Sequence, residues 1–295
     1  MSVDLDAIAC YHRIHGLPDP PTEKARFAVL RRCLPRFAEL FARHGVRATF
    51  FVVGGDLEED DEGRRLVAEL GRDGHELANH SHTHPYDFVR LGRTRIEQEI
   101  DRAHVAIAAC AATPPAGFRA PGYEITPDVT TALSARGYRY DSSLFPSPPY
   151  YAAKALVMAA MRVAGRPSGS FLGSPRAPFG ARSPHRTDAG LVELPIAVTP
   201  ALRLPVIGTS LVTSPDWLRR ALVAAALRAP FFNLELHGID LCDADADEIP
   251  PALIARQPDL RRPLAHKLRA LDATLASVTK AGARFVTLAD AAARV

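Results

Sequence analysis

The chain has no long apolar run. No stretch reaches the ~18 consecutive apolar residues that a membrane-spanning helix needs, so a helical transmembrane protein is not expected. Cysteine is scarce too. Cys10, Cys33, Cys110 and Cys242 are scattered, with no CxxC pair and no metal-finger spacing. That argues against a disulfide scaffold or a structural zinc module, and each cysteine reads as a free thiol in a reducing compartment. Charge of one sign is lacking as well: the formal balance is +3, and no basic run is interleaved with aromatics, so no nucleic-acid partner is expected. There is no internal repeat. The first residues, Met1-Ser2-Val3-Asp4-Leu5-Asp6, put acids where an export signal would carry basic and apolar residues, and the expected location is cytoplasmic.

What is present is a regular alternation. Apolar residues make up 47% of 295 positions, enough for a sizeable core, and a single domain over 1–295 is expected. Strand patterns over 2–8, 47–54, 75–79, 117–121, 138–142, 191–198, 231–237 and 284–288 are separated by helical patterns. The clearest helices are 22–44, 61–72, 93–111, 127–136, a segment begun by Ser214-Pro215-Asp216, and 262–281. Alternating strands and helices imply parallel pairing through βαβ crossovers. The expected fold is α/β, a distorted (β/α) barrel with seven or eight parallel strands; an open doubly wound sheet is the alternative. Two regions break the rhythm. Residues 143–190, rich in Pro, Gly, Ser and Arg with an apolar stretch at 151–163, read as a rim or lid insertion. The acidic stretch 242–261 lacks the glycine and terminal Glu of a calcium loop and reads as solvated.

Four of the eleven histidines, His75, His80, His82 and His84, fall within ten residues. His80 and His84 are four apart, and on a helical turn that spacing puts both rings on one side. Two neutral imidazoles suit zinc, cobalt, nickel or iron, given at least one further ligand. His75 and His82 read as structural. Asp4 and Asp6 lie two apart on the first strand and so share a face. Arg119, Asp141 and His237 stand near the ends of three later strands. In parallel barrels the carboxyl ends of the strands converge on one mouth, where catalysis occurs. The simplest assembly is a divalent ion, most simply zinc, held by Asp6, His80 and His84 with an open position for water. Asp4 is then the general base, kept ionised by Arg119. His237 is the candidate general acid, with Asp141 either its orienting carboxylate or the first acceptor of a turn with Ser142 and Ser143.

These residues resemble the motifs of the polysaccharide deacetylase family, metal-dependent N-deacetylases of chitin-like and peptidoglycan sugars. Asp4-Leu5-Asp6 is similar to its early double-acid motif, and His80-Ser81-His82-Thr83-His84-Pro85 to its histidine motif. Arg119-Ala120-Pro121 matches its R-x-P, and Leu234-Glu235-Leu236-His237 carries its late L-x-H. The resemblance implies a distorted barrel and the same roles for Asp4, Asp6, His80, His84, Arg119 and His237. It departs in two places. Leu5 separates the acids, as in a subgroup with peptidoglycan deacetylase-like and cyclic-amide-hydrolysing members. Gly122 stands where an aromatic is usual, with Tyr123 next, so either one is the candidate backbone donor to the oxyanion.

The expected activity is that of a metal-dependent amidohydrolase, an N-deacetylase of an N-acetylated amino sugar or glycoconjugate. A cyclic imide or ureide hydrolase on the same scaffold, or a non-hydrolytic carbohydrate-binding relative, is the alternative. The expected partners are a small-molecule, glycan or lipid-linked sugar substrate; a homo-oligomer is compatible with the sequence.

Overall fold

The computed structural model describes residues 1–166 and 168–295; Pro167, inside the expected 143–190 excursion, lies outside the described residues. Eight short strands form one curled sheet: β1 (Ser2–Asp4), β2 (Thr49–Val52), β3 (Glu76–Asn79), β4 (Gly117–Phe118), β5 (Tyr140–Asp141), β6 (His185–Arg186), β7 (Val192–Glu193) and β8 (Glu235–His237). Their order is β6-β7-β5-β4-β3-β2-β1-β8, parallel throughout except for the antiparallel β6–β7 pair. The gap beyond β8 is partly bridged, since Ala197 N–H donates to the Asn233 carbonyl at 3.0 Å and Ile207 pairs with Glu235. The result is the expected distorted (β/α) barrel, with seven parallel strands and incomplete closure.

Successive residues on each strand serve opposite sides of the sheet. Val3, Phe50, Leu77 and Leu236 belong to a large apolar cluster with Phe37 and Phe41 of the helix Leu34–Arg43. Their neighbours Phe51 and Ala78 join Tyr140 and Leu288 in a separate cluster inside the barrel. The interior is otherwise polar. Near the strand starts, Thr49 and Tyr140 hydroxyls donate to the Glu76 carboxylate at 2.7 and 2.9 Å.

The expected strand at 284–288 does not form. The backbone N–H groups of Leu288 and Ala289 donate instead to Thr49 Oγ1 and Glu76 Oε2, at 2.7 and 2.9 Å. Thr287 caps a helix, Leu288–Ala292, whose side chains plug the amino-terminal end of the barrel. A free helix terminus was needed to pair these buried acceptors, which a ladder strand does not offer. The expected helix 22–44 is likewise interrupted, by a π turn at Val29–Cys33 before Leu34–Arg43. Pro35, which has no N–H to give, falls at this junction. No helix among the described residues is long and apolar enough to cross a membrane.

Gly117 allows β4 and β5 to pair at close range. A Cβ built there would lie 1.8 Å from the Tyr140 ring, which is itself anchored on Glu76. Gly117→Ala is therefore expected to lose about 1–3 kcal/mol of stability by overpacking, read from the midpoint of a urea unfolding curve. A midpoint equal to that of the parent protein would show that the ring has room to yield.

Candidate active site

At the carboxyl ends of the strands the inward-facing series continues upward: Asp4 closing β1 and Asp6 beyond it, His80 after β3, Arg119 after β4, and His237 closing β8. Asp6 Oδ1 lies 3.1 Å from His80 Nε2 and 3.3 Å from His84 Nε2. All three residues are buried, and Asp6 Oδ1 has no hydrogen-bond partner. Tetrahedral zinc bonds of ~2.0–2.1 Å imply ligand-to-ligand edges of about 3.3–3.4 Å. The spacing and the bare oxygen therefore fit a divalent ion, with these three donors as its candidate holders.

The two imidazoles do not meet on a helical turn. Ser81 and His84 have φ of 64° and 51°, so the chain reverses through two left-handed residues. That shape is imposed by side chains. Asn79 Oδ1 accepts from Ser81 N–H at 2.8 Å and Ser81 Oγ from His84 N–H at 3.1 Å. Glu99, from the helix Arg93–Ala108, accepts from the N–H groups of His82 and Thr83 and from the Thr83 hydroxyl. The spacing of four brings the rings together, with centroids 4.8 Å apart, by a route that helical geometry does not describe. His75 accepts from Ala48 N–H, and His82 faces Glu58; neither joins the cluster.

The ring orientations follow from hydrogen bonds. His80 Nδ1 donates to the Arg119 carbonyl at 2.7 Å, which leaves Nε2 bare toward Asp6. Burial disfavours the charged form of His80, but Asp4 and Asp6 outweigh it and raise its pKa. Burial dominates at His84 and pushes it down to about 4. For Asp6, burial opposes ionisation, yet the His84 and His80 rings hold its carboxyl well below the usual range.

Arg119 is fully buried. Its Nη1 donates to Asp4 Oδ1 at 2.5 Å, its Nη2 to Ser2 Oγ and Ser142 Oγ, and its Nε to the Ser142 carbonyl. Asp4 Oδ2 is left without a hydrogen-bond partner, 3.7 Å from His80 Nε2. His237 Nδ1 lies 3.1 Å from Glu235 Oε1, and its Nε2 3.1 Å from the Tyr123 hydroxyl, which donates to the same Glu235 oxygen at 2.7 Å. Burial resists protonation of His237, but Glu235 above all, then Asp6 and Asp4, push its pKa up to about 9.

Asp141 is the correction. Tyr140 and Ser142 both point into the barrel, so Asp141 points out of it. Its carboxylate accepts from Ser143 N–H and Oγ at 3.1 and 2.7 Å, the turn arrangement that was the other reading. The carboxylate that orients His237 is Glu235. Two residues before the histidine is also where an L-x-H motif carries its leucine, so the match of Leu234–His237 to that motif is inexact and Glu235 stands in the leucine's place. Alternation along β8 was the available signal. Gly122 and Tyr123 have φ of 73° and 67°. Tyr123 N–H is engaged by the Ala120 carbonyl at 3.1 Å, so Tyr123 contributes its hydroxyl here rather than its backbone.

Asp4 and Glu235 with His237 form a second cluster of donors, but Arg119 and Tyr123 already occupy their facing oxygens. The first cluster opens into a cavity of about 390 Å³, walled on one side by Tyr150, Lys154, Met158 and Met161 of the helix Pro148–Val163. A cavity of about 470 Å³ near Phe231 and Phe285 is lined by no histidine or acid.

A parallel barrel with carboxylates and imidazoles converging at its carboxyl mouth defines an enzyme-type scaffold. More particularly, residues 28–140, from before β2 through Arg119 to β5, match the family model described as polysaccharide deacetylase. The chain is 26% identical to a peptidoglycan deacetylase of Helicobacter pylori over 152 residues, 50% of each chain. It is 38% identical to a chitooligosaccharide deacetylase of Bradyrhizobium over 107 residues, 36% of this chain and 47% of that one. It spans about half the length of the curated relatives it matches. A solved polysaccharide-deacetylase-type structure from Mycobacterium smegmatis superposes with a TM-score of 0.63 at 18% identity, covering 100% of this chain and 88% of that one, a likeness of fold.

Outside the barrel, Asp141 faces Glu193 in register on β7. Burial, then Asp141, raises the Glu193 pKa well above its ordinary 4.5, and burial raises that of Asp141. A raised carboxyl pKa means that the folded state holds a proton that the unfolded chain releases. Its contribution is complete below about pH 4.5 and is lost as pH rises through the folded value. Glu193→Gln, uncharged at every pH, is expected to gain stability relative to the parent between pH 5 and pH 8 in urea unfolding. A difference independent of pH would contradict the shared proton.

Proposed function

We propose that this protein is a metal-dependent amidohydrolase that removes an acyl group from nitrogen, most simply acetyl from an amino sugar. The observation that carries the reading is the Asp6–His80–His84 cluster with Asp4 Oδ2 bare beside it. Asp6, His80 and His84 would hold one divalent ion, zinc by its preference for such donors, with cobalt or nickel as substitutes. Such an ion polarises an amide carbonyl and acidifies water. Asp4 Oδ2 takes the proton from the attacking water, while Arg119 keeps the other oxygen occupied and the carboxylate turned toward the cavity. His237, held protonated by Glu235 and aimed by the Tyr123 hydroxyl, gives a proton to the departing amine. The backbone at Gly122 is the remaining candidate donor to the oxyanion.

We read 1–295 as one domain and 143–190 as its rim insertion, with Pro148–Val163 lying over the cavity. That cover is the observation favouring the second reading, a hydrolase of small cyclic imides or ureides, whose substrates need a closed pocket and no groove for a polymer. N-acetylglucosamine oligomers and hydantoin-like compounds assayed side by side distinguish the two.

Asp4→Asn is expected to keep the bound zinc while turnover falls by ~10²–10⁴-fold, the usual contribution of a general base. His80→Ala is expected to lose both metal and activity. Metal content by mass spectrometry alongside turnover checks this, and full activity in Asp4→Asn would sink the assignment.

A further inference from the structure

The helix Pro148–Val163 has sixteen residues, and Tyr151 is the only one of them buried. Of the nine large hydrophobic side chains exposed on the described residues, Leu156, Val157, Val163, Leu172 and Phe179 all lie within 143–190. Leu156 and Val163 are 72% and 90% exposed, which no packing on the barrel explains. An exposed apolar set of this size marks a surface that is covered in use.

The charge of the same segment is one-sided. Lys154, Arg162, Arg166, Arg176, Arg182 and Arg186 stand against a single acid, Asp188, in a chain whose overall balance is only +3. Elsewhere some surface arginines are paired, as in Arg26–Glu59, Arg102–Glu58 and Arg136–Asp101, while others such as Arg65 and Arg220 are not; what sets 143–190 apart is its shortage of acids. Lys154 turns toward the pocket, with Glu124 as its nearest opposite charge, whereas the five arginines are exposed and none lies within ion-pair distance of a carboxylate among the described residues.

The segment is also continuous with the cavity. Met158 and Ser168 line the candidate active-site pocket and, on their other side, a shallow recess formed by Ala155, Ala159, Arg162 and Leu172. The pocket and the exposed recess therefore adjoin along this helix.

We propose that the 148–186 face docks on an anionic phospholipid bilayer, so that the pocket opens at the headgroup plane to amide substrates bearing a long apolar tail. Apolar side chains interspersed with basic ones, on a helix lacking a protein partner, are what an interfacial helix presents to such a surface. A second copy of the chain is a poorer occupant, because an isologous contact would set the same unpaired cations against one another. The amide class of the substrate rests on the amidohydrolase reading above, whereas docking on the bilayer rests on the exposed face alone.

The test is flotation of the full chain with vesicles of phosphatidylcholine alone or mixed with phosphatidylglycerol. The parent protein is expected to float with the mixed vesicles, less so in 0.5 M salt, in which the Debye length shrinks to roughly half of its ~10 Å at 0.1 M. Leu156→Glu combined with Val163→Glu is expected to reduce the bound fraction at least about tenfold, with unchanged far-UV circular dichroism and unchanged turnover of a water-soluble amide. Equal flotation of parent and double variant, or no flotation with anionic vesicles, would overturn the proposal. So would a dimer in light scattering that the double variant dissociates. Vesicle binding without hydrolysis of any amide would overturn the catalytic reading, and with it the substrate class, and would support the docking.

Discussion

A guanidinium with no access to water sits inside the barrel, and the site is arranged around it. A buried charge is tolerable only when paired and fully hydrogen-bonded. Arg119 meets that demand with Asp4, Ser2 and Ser142, and it lies 4.2 Å from the centre of the Phe51 ring. These partners come from β1, the end of β5 and β2, so the requirement of one side chain fixes the register of strands far apart in sequence. The same residue offers its carbonyl to His80 Nδ1. One position thus turns a carboxylate oxygen toward the cavity and sets which nitrogen of a candidate ligand is bare. Lysine could supply the charge but not the fork that serves several acceptors at once.

The histidine loop depends on a second constraint, applied from outside the sheet. Asn79 points away from the barrel interior, where its amide donates to the Ile100 carbonyl and the Tyr138 hydroxyl, while its oxygen holds Ser81 N–H. Glu99 fastens the next two residues to the same helix. The left-handed backbone at Ser81 and His84 persists because the helix Arg93–Ala108 supplies acceptors for the N–H groups that such a turn exposes. The candidate metal cluster is therefore tied to the outer helical layer as firmly as to the strands.

Much of this was legible in the sequence, because it rests on periodicities. Strand alternation put Asp4 and Asp6 on one face, and the recurrence of strand and helix gave the barrel. The order of motifs brought His80, Arg119 and His237 to one mouth. Where the reading went astray, the cause was an interaction between distant residues. The terminal strand at 284–288 gave way to a helix because Thr49 and Glu76 needed donors. The four-residue histidine spacing suggests a helical turn because nothing local announces Glu99. The sequence leaves Asp141 between His237 and a turn, and its parity with Tyr140 and Ser142 decides for the turn; Glu235, on the parity of His237, is hidden inside a motif. Likewise the scattered cysteines conceal a meeting of Cys33 and Cys242, whose sulfurs lie 2.9 Å apart in the outer layer.

The two ends of the barrel interior handle buried polar groups in opposite ways. At the amino-terminal end Glu76 is surrounded by donors from Thr49, Tyr140 and Ala289, and the helix Leu288–Ala292 seals it in. At the carboxyl end Asp4 Oδ2, Asp6 Oδ1, His84 Nδ1 and Glu235 Oε2 are buried with no partner. Each unmet group costs about 1–3 kcal/mol in a folded protein, and nothing about folding requires them to share one mouth. Phe37, Phe41, Phe50 and their neighbours in the outer layer supply the cohesion that tolerates this. Other bare atoms, such as those of Asp60 and Asp259, lie elsewhere, but these four groups share one mouth that opens to a cavity, which is the arrangement expected when something from outside the chain completes them.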